Sequence, residues 1–343
     1  MKAAKCIAPR QIRIVDVDKP APKPDQALIR VCSVGICGSD LHYFEGSGIG
    51  EVTVTEPLIL GHEFSGIIEE VGDEAGADLV GNLVAVEPGI PCRQCESCRT
   101  GHYNVCRDMV FPGGPPYDGV LCEYVTFPAD FCFPVPQKLS PTQAALIEPL
   151  AVALHTVDLA RVRPGETAAI LGLGPVGLLT AQMAKLAGAG QLIGTDLLDY
   201  RAEAGLRFGV DFAFNAGKHD TVETVLDRTG GRGVDVAFDC ARSSDTPGLA
   251  CKVVRPAGRC VLTGISGAIE DPFPVNVARH KELTLHWCRR FRFDFPRAIA
   301  VAASGQADLK ALATHSFPLE RSQEAFALVS NAGDNVLKAS IDL

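Results

Sequence analysis

An excess of positive charge and an unbroken apolar run are both missing from this 343-residue sequence. The formal net charge is -9, which speaks against polyanion binding as the chain's main work, because nucleic-acid-binding proteins carry a basic face. No nucleic-acid partner is expected. The longest uncharged stretch, Thr167 to Ala184, approaches the length of a membrane span, but Gly172, Gly174, Pro175 and Gly177 interrupt it, so no membrane association is expected either. The opening segment, MKAAKCIAPRQIRIVDVD, turns charged again at Arg10 before any apolar core has formed. It does not read as a signal peptide, and a cytoplasmic location is the expectation. Internal repeats and low-complexity stretches are absent as well.

Apolar residues and sulfur are plentiful. A hydrophobic content of 47% in a chain of this length supplies cores for two domains. Thirteen cysteines without a leader argue for thiols and metal rather than a disulfide framework, since the cytosol keeps thiols reduced. Four of them, Cys92, Cys95, Cys98 and Cys106, fall in CRQCESCRTGHYNVC with C-x2-C-x2-C-x7-C spacing. On a loop punctuated by Gly and Pro, such thiolates can converge on Zn2+ with bonds of about 2.3 Å, and four sulfurs leave no open position. This reads as a structural zinc in a lobe at 88–108. An iron-sulfur cluster and accidental clustering are the alternatives. Cys6, Cys32, Cys122, Cys132, Cys240, Cys251, Cys260 and Cys288 are scattered through mostly apolar runs and read as core fillers. A four-cysteine site alone also fits a non-enzymatic zinc-ribbon module, so the rest of the chain has to decide.

In the middle of the chain the apolar strand candidate TAAIL leads directly into GLGPVG, with Gly172, Gly174 and Gly177 in G-x-G-x-x-G spacing around Pro175 and Val176. Helix-compatible LLTAQMAKLAG follows, and QLIGTD then ends in Asp196, about twenty residues on, as the dinucleotide fingerprint requires. The glycines permit a tight turn and close approach of a pyrophosphate to a helix N-terminus. Asp196 can accept hydrogen bonds from ribose hydroxyls and its charge repels a 2'-phosphate, which favours NAD; nearby Arg201 is a possible phosphate partner. Strand candidates DFAFN, VDVAFD and GRCVLTG alternate with helical stretches such as HDTVETVLDRTG. The pattern is α/β, a Rossmann-type doubly wound parallel sheet over 150–283. QALIRVCSVGICGSD, LILGHEFSGIIEEVG and GNLVAVEPG instead give short strands without βαβ alternation. They define a mostly β domain over 1–149, which 284–343 is expected to rejoin.

Within that β-rich part, GICGSDLHYFEG offers Cys37, Ser39, Asp40, His42 and Tyr43, and LGHEFSG offers His62 and Glu63. A thiolate, an imidazole and a carboxylate with one open position describe a catalytic zinc. Spacing alone equally allows a hydrogen-bonded His-Glu surface pair.

Taken in order, GICGSDLH, GHEFSG, the four-cysteine lobe, EPLAVALHT and GLGPVG resemble the zinc-containing medium-chain dehydrogenases, in particular the sorbitol (polyol) dehydrogenases, over nearly the whole chain. The resemblance implies a GroES-like catalytic domain beside an NAD-binding domain. It further implies two zinc ions per subunit, one catalytic and one structural, and a homotetramer. Cys37 and His62 would bind the catalytic zinc and Glu63 would be the next ligand. Glu148 stands where alcohol dehydrogenases carry a cysteine ligand, and would lie at or beside the metal and its water. Asp40 would orient His62. Ser39 and His42 would pass the alcohol proton outward, and Arg290 would contact the polyol, with Arg289 and Arg292 as neighbours in the alignment. The implied reaction is hydride transfer from a secondary hydroxyl of a sorbitol- or xylitol-like sugar alcohol to NAD, giving a ketose. L-threonine 3-dehydrogenase and zinc alcohol dehydrogenase are the alternatives within the family.

Overall fold

A computed structural model describes residues 1–343. The chain divides into two compact units, one formed by Met1–Glu148 and Arg292–Leu343, the other by Pro149–Phe291. Strands are numbered along the chain. Met1–Glu148 supplies β1 (Lys2–Ala8), β2 (Gln11–Asp16), β3 (Gln26–Gly35), β4 (Leu58–Ile59), β5 (Glu63–Val71), β6 (Leu83–Val86), β7 (Tyr124–Pro128) and β8 (Cys132–Pro134). Pro149–Phe291 supplies β9 (Thr167–Leu171), β10 (Gln191–Asp196), β11 (Phe212–Asn215), β12 (Val234–Asp239), β13 (Val254–Leu262) and β14 (Thr284–Trp287). The returning stretch adds β15 (Ala313–Pro318) and β16 (Lys338–Asp342).

The first unit is mostly β. A three-stranded sheet runs β2-β1-β4, and a seven-stranded sheet runs β15-β16-β3-β5-β6-β8, with β7 also pairing with β3. The strand at its centre, QALIRVCSVG, is buried along most of both faces, as a strand with neighbours on each side must be. Its core includes Phe44 against Phe326 and Phe64 against Phe127, at centroid separations of 5.3 and 5.7 Å. The return strand β16 closes antiparallel onto β3.

The second unit is a six-stranded, all-parallel sheet in the order β11-β10-β9-β12-β13-β14. Counted from β9 this is 3-2-1-4-5-6, the doubly wound dinucleotide-binding order, whose ligand crevice lies at the carboxyl ends of β9 and β12, where the winding reverses. VDVAFD is buried at every residue, its two aspartates included, as befits a central strand of a parallel sheet covered on both faces. The boundary drawn at 283 needs correction, because Thr284–Trp287 pairs with β13 from Arg259 to Leu262 and so belongs to the parallel sheet. As a half-exposed edge strand it lacks the buried apolar run that marks its neighbours.

Candidate active site and metal centres

Cys37 ends the approach to the helix Gly38–Glu45 as its N-cap, in extended backbone. The helix begins there because Asp40, at its third position, reaches back to accept the Cys37 N–H at 2.9 Å. The same fully buried carboxylate accepts the Gly61 N–H at 3.2 Å and lies 3.3 Å from His62 Nδ1. One side chain thus ties the GICGSD and GHE segments together. With Nδ1 directed at Asp40, Nε2 is the His62 nitrogen left for another partner. Burial alone would depress the His62 pKa, but Asp40 and then Cys37 outweigh it and raise it well above the usual imidazole range.

Donor atoms of Cys37, His62 and Glu63 all lie within 4.8 Å of one another. Glu148, in the first turn of the helix Ile147–Ala160, is buried as well. So is Lys338, whose ammonium donates to Glu63 Oε1 at 2.7 Å and to the Ile36 carbonyl at 2.8 Å. Burial works against the Lys338 charge, but Glu63 first, then Cys37 and Glu148, raise its pKa above the ordinary value. Three buried carboxylates and a thiol thus share a site with one ammonium and one imidazole. Such a set of buried donor atoms suits a bound cation. Glu63 Oε2 is buried and makes no hydrogen bond, with the Lys338 ammonium 2.5 Å away as an ion pair. The donor set, one sulfur, one nitrogen and carboxylate oxygen, fits Zn2+. Lys338 was not identified from the sequence, although a lysine inside the apolar strand VLKASI is the kind of misfit that signals a buried partner.

Ser39 and His42 sit three residues apart on the helix Gly38–Glu45, hence on one face. His42 is buried with Nδ1 3.4 Å from Ser47 Oγ. Arg290 lies between β14 and the buried Phe291, in a left-handed backbone conformation (φ 57°) uncommon for a residue with a side chain.

The four cysteines close a second cluster. Sγ–Sγ separations are 3.4 Å for Cys95–Cys98, 3.9 Å for Cys95–Cys106 and 4.0 Å for Cys92–Cys98. Tetrahedral zinc with Zn–S near 2.3 Å requires about 3.8 Å, so these thiols surround a zinc-sized gap. Amides point inward as well, Cys95 N–H to Cys92 Sγ at 3.4 Å and Cys92 N–H to Cys106 Sγ at 3.3 Å. A backbone N–H at Cys98 holds the Cys95 thiol down at about 7, whereas loss of solvent and the Cys95 thiol beside it push Cys98 up to about 12. The lobe is pinned at its neck by reciprocal backbone bonds between Ile90 and Val110. Inside it, Tyr103 donates to the buried Glu87, another pairing that sequence inspection missed.

In the parallel-sheet unit, Gly172 (φ 95°) turns the chain out of β9, and Gly174 caps the helix Pro175–Leu186 with Pro175 at its first position. A Cβ at Gly177 would lie 1.9 Å from the Gly172 carbonyl, so only glycine lets that helix start so close to the strand. A Cβ at Gly174 would meet nothing nearer than Arg201 Nη1 at 3.8 Å, which leaves room over the turn for a phosphate. Val176 follows Pro175 in the first turn of this helix. Asp196 accepts the N–H groups of Leu173 at 2.9 Å and Leu198 at 3.0 Å, bracing the turn from the end of β10. Arg201 Nε is buried without a hydrogen-bond partner, an unsatisfied donor that an anionic ligand would meet. These residues fit a dinucleotide.

Residues 23–137 match the alcohol dehydrogenase GroES-like domain, and residues 175–304 match zinc-binding dehydrogenase. Sorbitol dehydrogenase of Bacillus subtilis (strain 168) is 39% identical over 341 residues, 99% of this chain and 97% of that protein. A probable D-xylulose reductase A of Emericella nidulans is 40% identical over 322 residues, 92% of this chain and 89% of that one. A crystal structure described as a short chain alcohol dehydrogenase from E. coli CFT073, complexed with NADH, superposes with a TM-score of 0.92 at 28% identity, covering 100% of this chain and 99% of the other. The chain belongs to the zinc-containing medium-chain dehydrogenases, among the polyol dehydrogenases of that family.

Proposed function

We propose that this chain oxidises a secondary hydroxyl of a polyol, next to another hydroxyl, to a ketone: the carbon-bound hydrogen leaves as hydride to NAD+, giving NADH, and the hydroxyl proton goes to solvent. The observation that carries the reading is the convergence of Cys37, His62 and Glu63 donor atoms within 4.8 Å in a buried, negatively charged site. Cys37, His62 and Glu63 hold the catalytic zinc, with Glu148 at the metal or its water. Cys92, Cys95, Cys98 and Cys106 hold the structural one. Zinc supplies Lewis acidity that lowers the pKa of a substrate hydroxyl, and NAD supplies the hydride acceptor. Asp40 fixes the His62 ring, and Ser39 and His42 carry the proton outward along one helix face. The Gly172–Gly177 turn receives the pyrophosphate, Asp196 the adenosine ribose, Arg201 a phosphate oxygen, and Arg290 a further substrate hydroxyl. The relatives named for sorbitol and D-xylulose and the NADH-bound neighbour support this assignment.

The subunits assemble as a homotetramer. The exposed edge strand β14, with Trp287 67% exposed and the apolar Ile269 and Val275 at 72% and 65%, supports association through that unit. No helix is long and apolar enough to cross a membrane.

The test is NAD reduction with a panel of polyols, threonine and simple alcohols. A polyol is expected to give the highest kcat/KM. Faster turnover of threonine or a monoalcohol than of every polyol would transfer the assignment to threonine or alcohol dehydrogenase.

A further inference from the structure

The carboxyl ends of β10 and β11 lie side by side, with Asp196 opposite Asn215 in register. The segments that leave these two strands are tied to each other. Asn215 Nδ2 donates to the Leu197 carbonyl at 3.0 Å and to Asp199 Oδ1 at 2.8 Å, while the Asn215 carbonyl accepts the Lys218 N–H at 3.1 Å. Asn215 Oδ1 accepts the Gly217 N–H at 2.7 Å, which fixes the turn that carries the lysine. Lys218 Nζ then closes the ring by donating to both oxygens of Asp199, at 2.9 and 2.7 Å.

Asp199 is the first residue of the helix Asp199–Arg207. A carboxylate there faces the free N–H groups and the positive end of the helix dipole, the same features that receive a phosphate. Lys218 first, and then Asn215, hold the Asp199 pKa below the ordinary carboxylate value, so the residue is charged at neutral pH.

Stability does not explain the pair. Both side chains are more than half exposed, Lys218 at 62% and Asp199 at 58%, and ion pairs so placed contribute little to folding. Its consequence is electrostatic. Two strand ends away from bulk sheet, beside the carboxylate read as the ribose partner, the chain carries a lysine whose ammonium is already committed. A 2'-phosphate on that ribose would need a cation to offset the charge of Asp196, and the lysine of the adjoining turn is engaged elsewhere.

We propose that Asp199 is a second determinant of cofactor choice: by engaging Lys218 it withholds from a 2'-phosphate the cation that would otherwise bind it. Asp199 is a positioning residue and acts through Lys218. The inference rests on the reading that Asp196 receives the adenosine ribose.

The experiment measures binding of NADH and NADPH, which differ only in the 2'-phosphate, by nicotinamide fluorescence on the full chain. Asp199→Asn keeps an acceptor for Asn215 and removes the charge. It should tighten NADPH binding about tenfold, the scale of one charge-assisted hydrogen bond, and change NADH binding by less than about threefold. Adding Lys218→Met should cancel the gain, and Lys218→Met alone should leave both cofactors within about threefold of wild type, because its ammonium is already taken. Should Asp199→Asn fail to fold by circular dichroism, Asp199→Ser takes its place with the same expectation. NADPH binding no tighter in the folded Asp199 variant, a gain that survives Lys218→Met, or tenfold weaker NADH binding in Lys218→Met alone overturns the proposal. A ratio of NADH to NADPH affinity left unchanged by Asp196→Asn would strike the underlying reading of the ribose site instead.

Discussion

Tyr103, between the metal-cluster residues Cys98 and Cys106, donates its phenol hydrogen to Glu87 at 2.5 Å and accepts the N–H of Phe293 at 2.8 Å. One buried phenol thus fastens the cysteine lobe both to the end of β6 and to the returning stretch of the same unit. Glu87 is deprived of solvent there, and burial raises its pKa from 4.5 to about 7, with Asp294 and Asp130 adding to the rise.

Glu87 therefore gives a pH-dependent stability. Its folded-state pKa is above the unfolded value, so the folded chain binds the proton more tightly; the contribution is complete below about pH 4.5 and is lost as pH rises through about 7. Glu87→Gln keeps an acceptor for Tyr103 and removes the titration. The variant should match wild type near pH 5 and exceed it near pH 8, by an amount on the order of 3 kcal/mol. Thermal melts across that range check this, and parallel curves for the two proteins would rule it out.

The two metal centres should separate by their consequences. Purified without chelator, the chain is expected to hold two zinc ions, because two distinct ligand groups are present. Cys95→Ser should lose one zinc together with stability, since a closed four-sulfur site contributes folding free energy. Cys37→Ser should lose one zinc and turnover while keeping its circular dichroism and nearly its Tm. Equal unfolding of both variants in metal analysis and thermal melts would erase the distinction.

Cofactor choice should follow the charge of Asp196. Because its carboxylate also braces Leu173 and Leu198, Asp196→Asn is a cleaner probe than alanine: an acceptor remains and the charge goes. Wild type should turn over faster with NAD than with NADP. The variant should narrow that ratio by about tenfold or more, the scale of one charge-assisted contact. Faster wild-type turnover with NADP would refute the assignment.

Arg290→Ala should raise KM for the best polyol by about tenfold or more, and that for a plain secondary alcohol hardly at all, because a hydroxyl deprived of its partner in a dry site costs about 1 to 3 kcal/mol. Steady-state kinetics with a polyol and its monohydroxy analogue decide the point. A uniform rise for both substrates would mean that Arg290 shapes the backbone, where it already holds a positive φ, and does not read the diol.

Much of this molecule is legible in short windows of sequence because the physics there is local. Gly172 to Gly177 and Asp196 belong to one strand-turn-helix-strand unit, and the four cysteines share one loop, so spacing along the chain reports spacing in space. Lys338, Glu87 and Tyr103 were missed for the opposite reason. Each finds its partner through pairing of strands or loops far apart in sequence, and a charged residue in an apolar strand does not say which buried charge it meets. The boundary at 283 failed through exposure: β14, paired on one side only, shows the mixed surface of an edge and not the apolar run of a central parallel strand.

The placement of β16 gives the two metal centres different histories during synthesis. Cys92 and Cys106 are 14 residues apart, so the cysteine cluster can capture its ion on the nascent chain, within seconds of emerging at translation rates of about 5–20 residues per second. Cys37, His62 and Glu63 emerge earlier still, yet their sheet lacks the β16 neighbour of β3, and Glu63 lacks its ammonium, until Lys338 has been made 275 residues later. The contiguous unit Pro149–Phe291 can fold in the interval. The first-made strands of the catalytic domain are thus the last to gain their full set of neighbours, whereas the cysteine cluster has all four of its thiols within one loop.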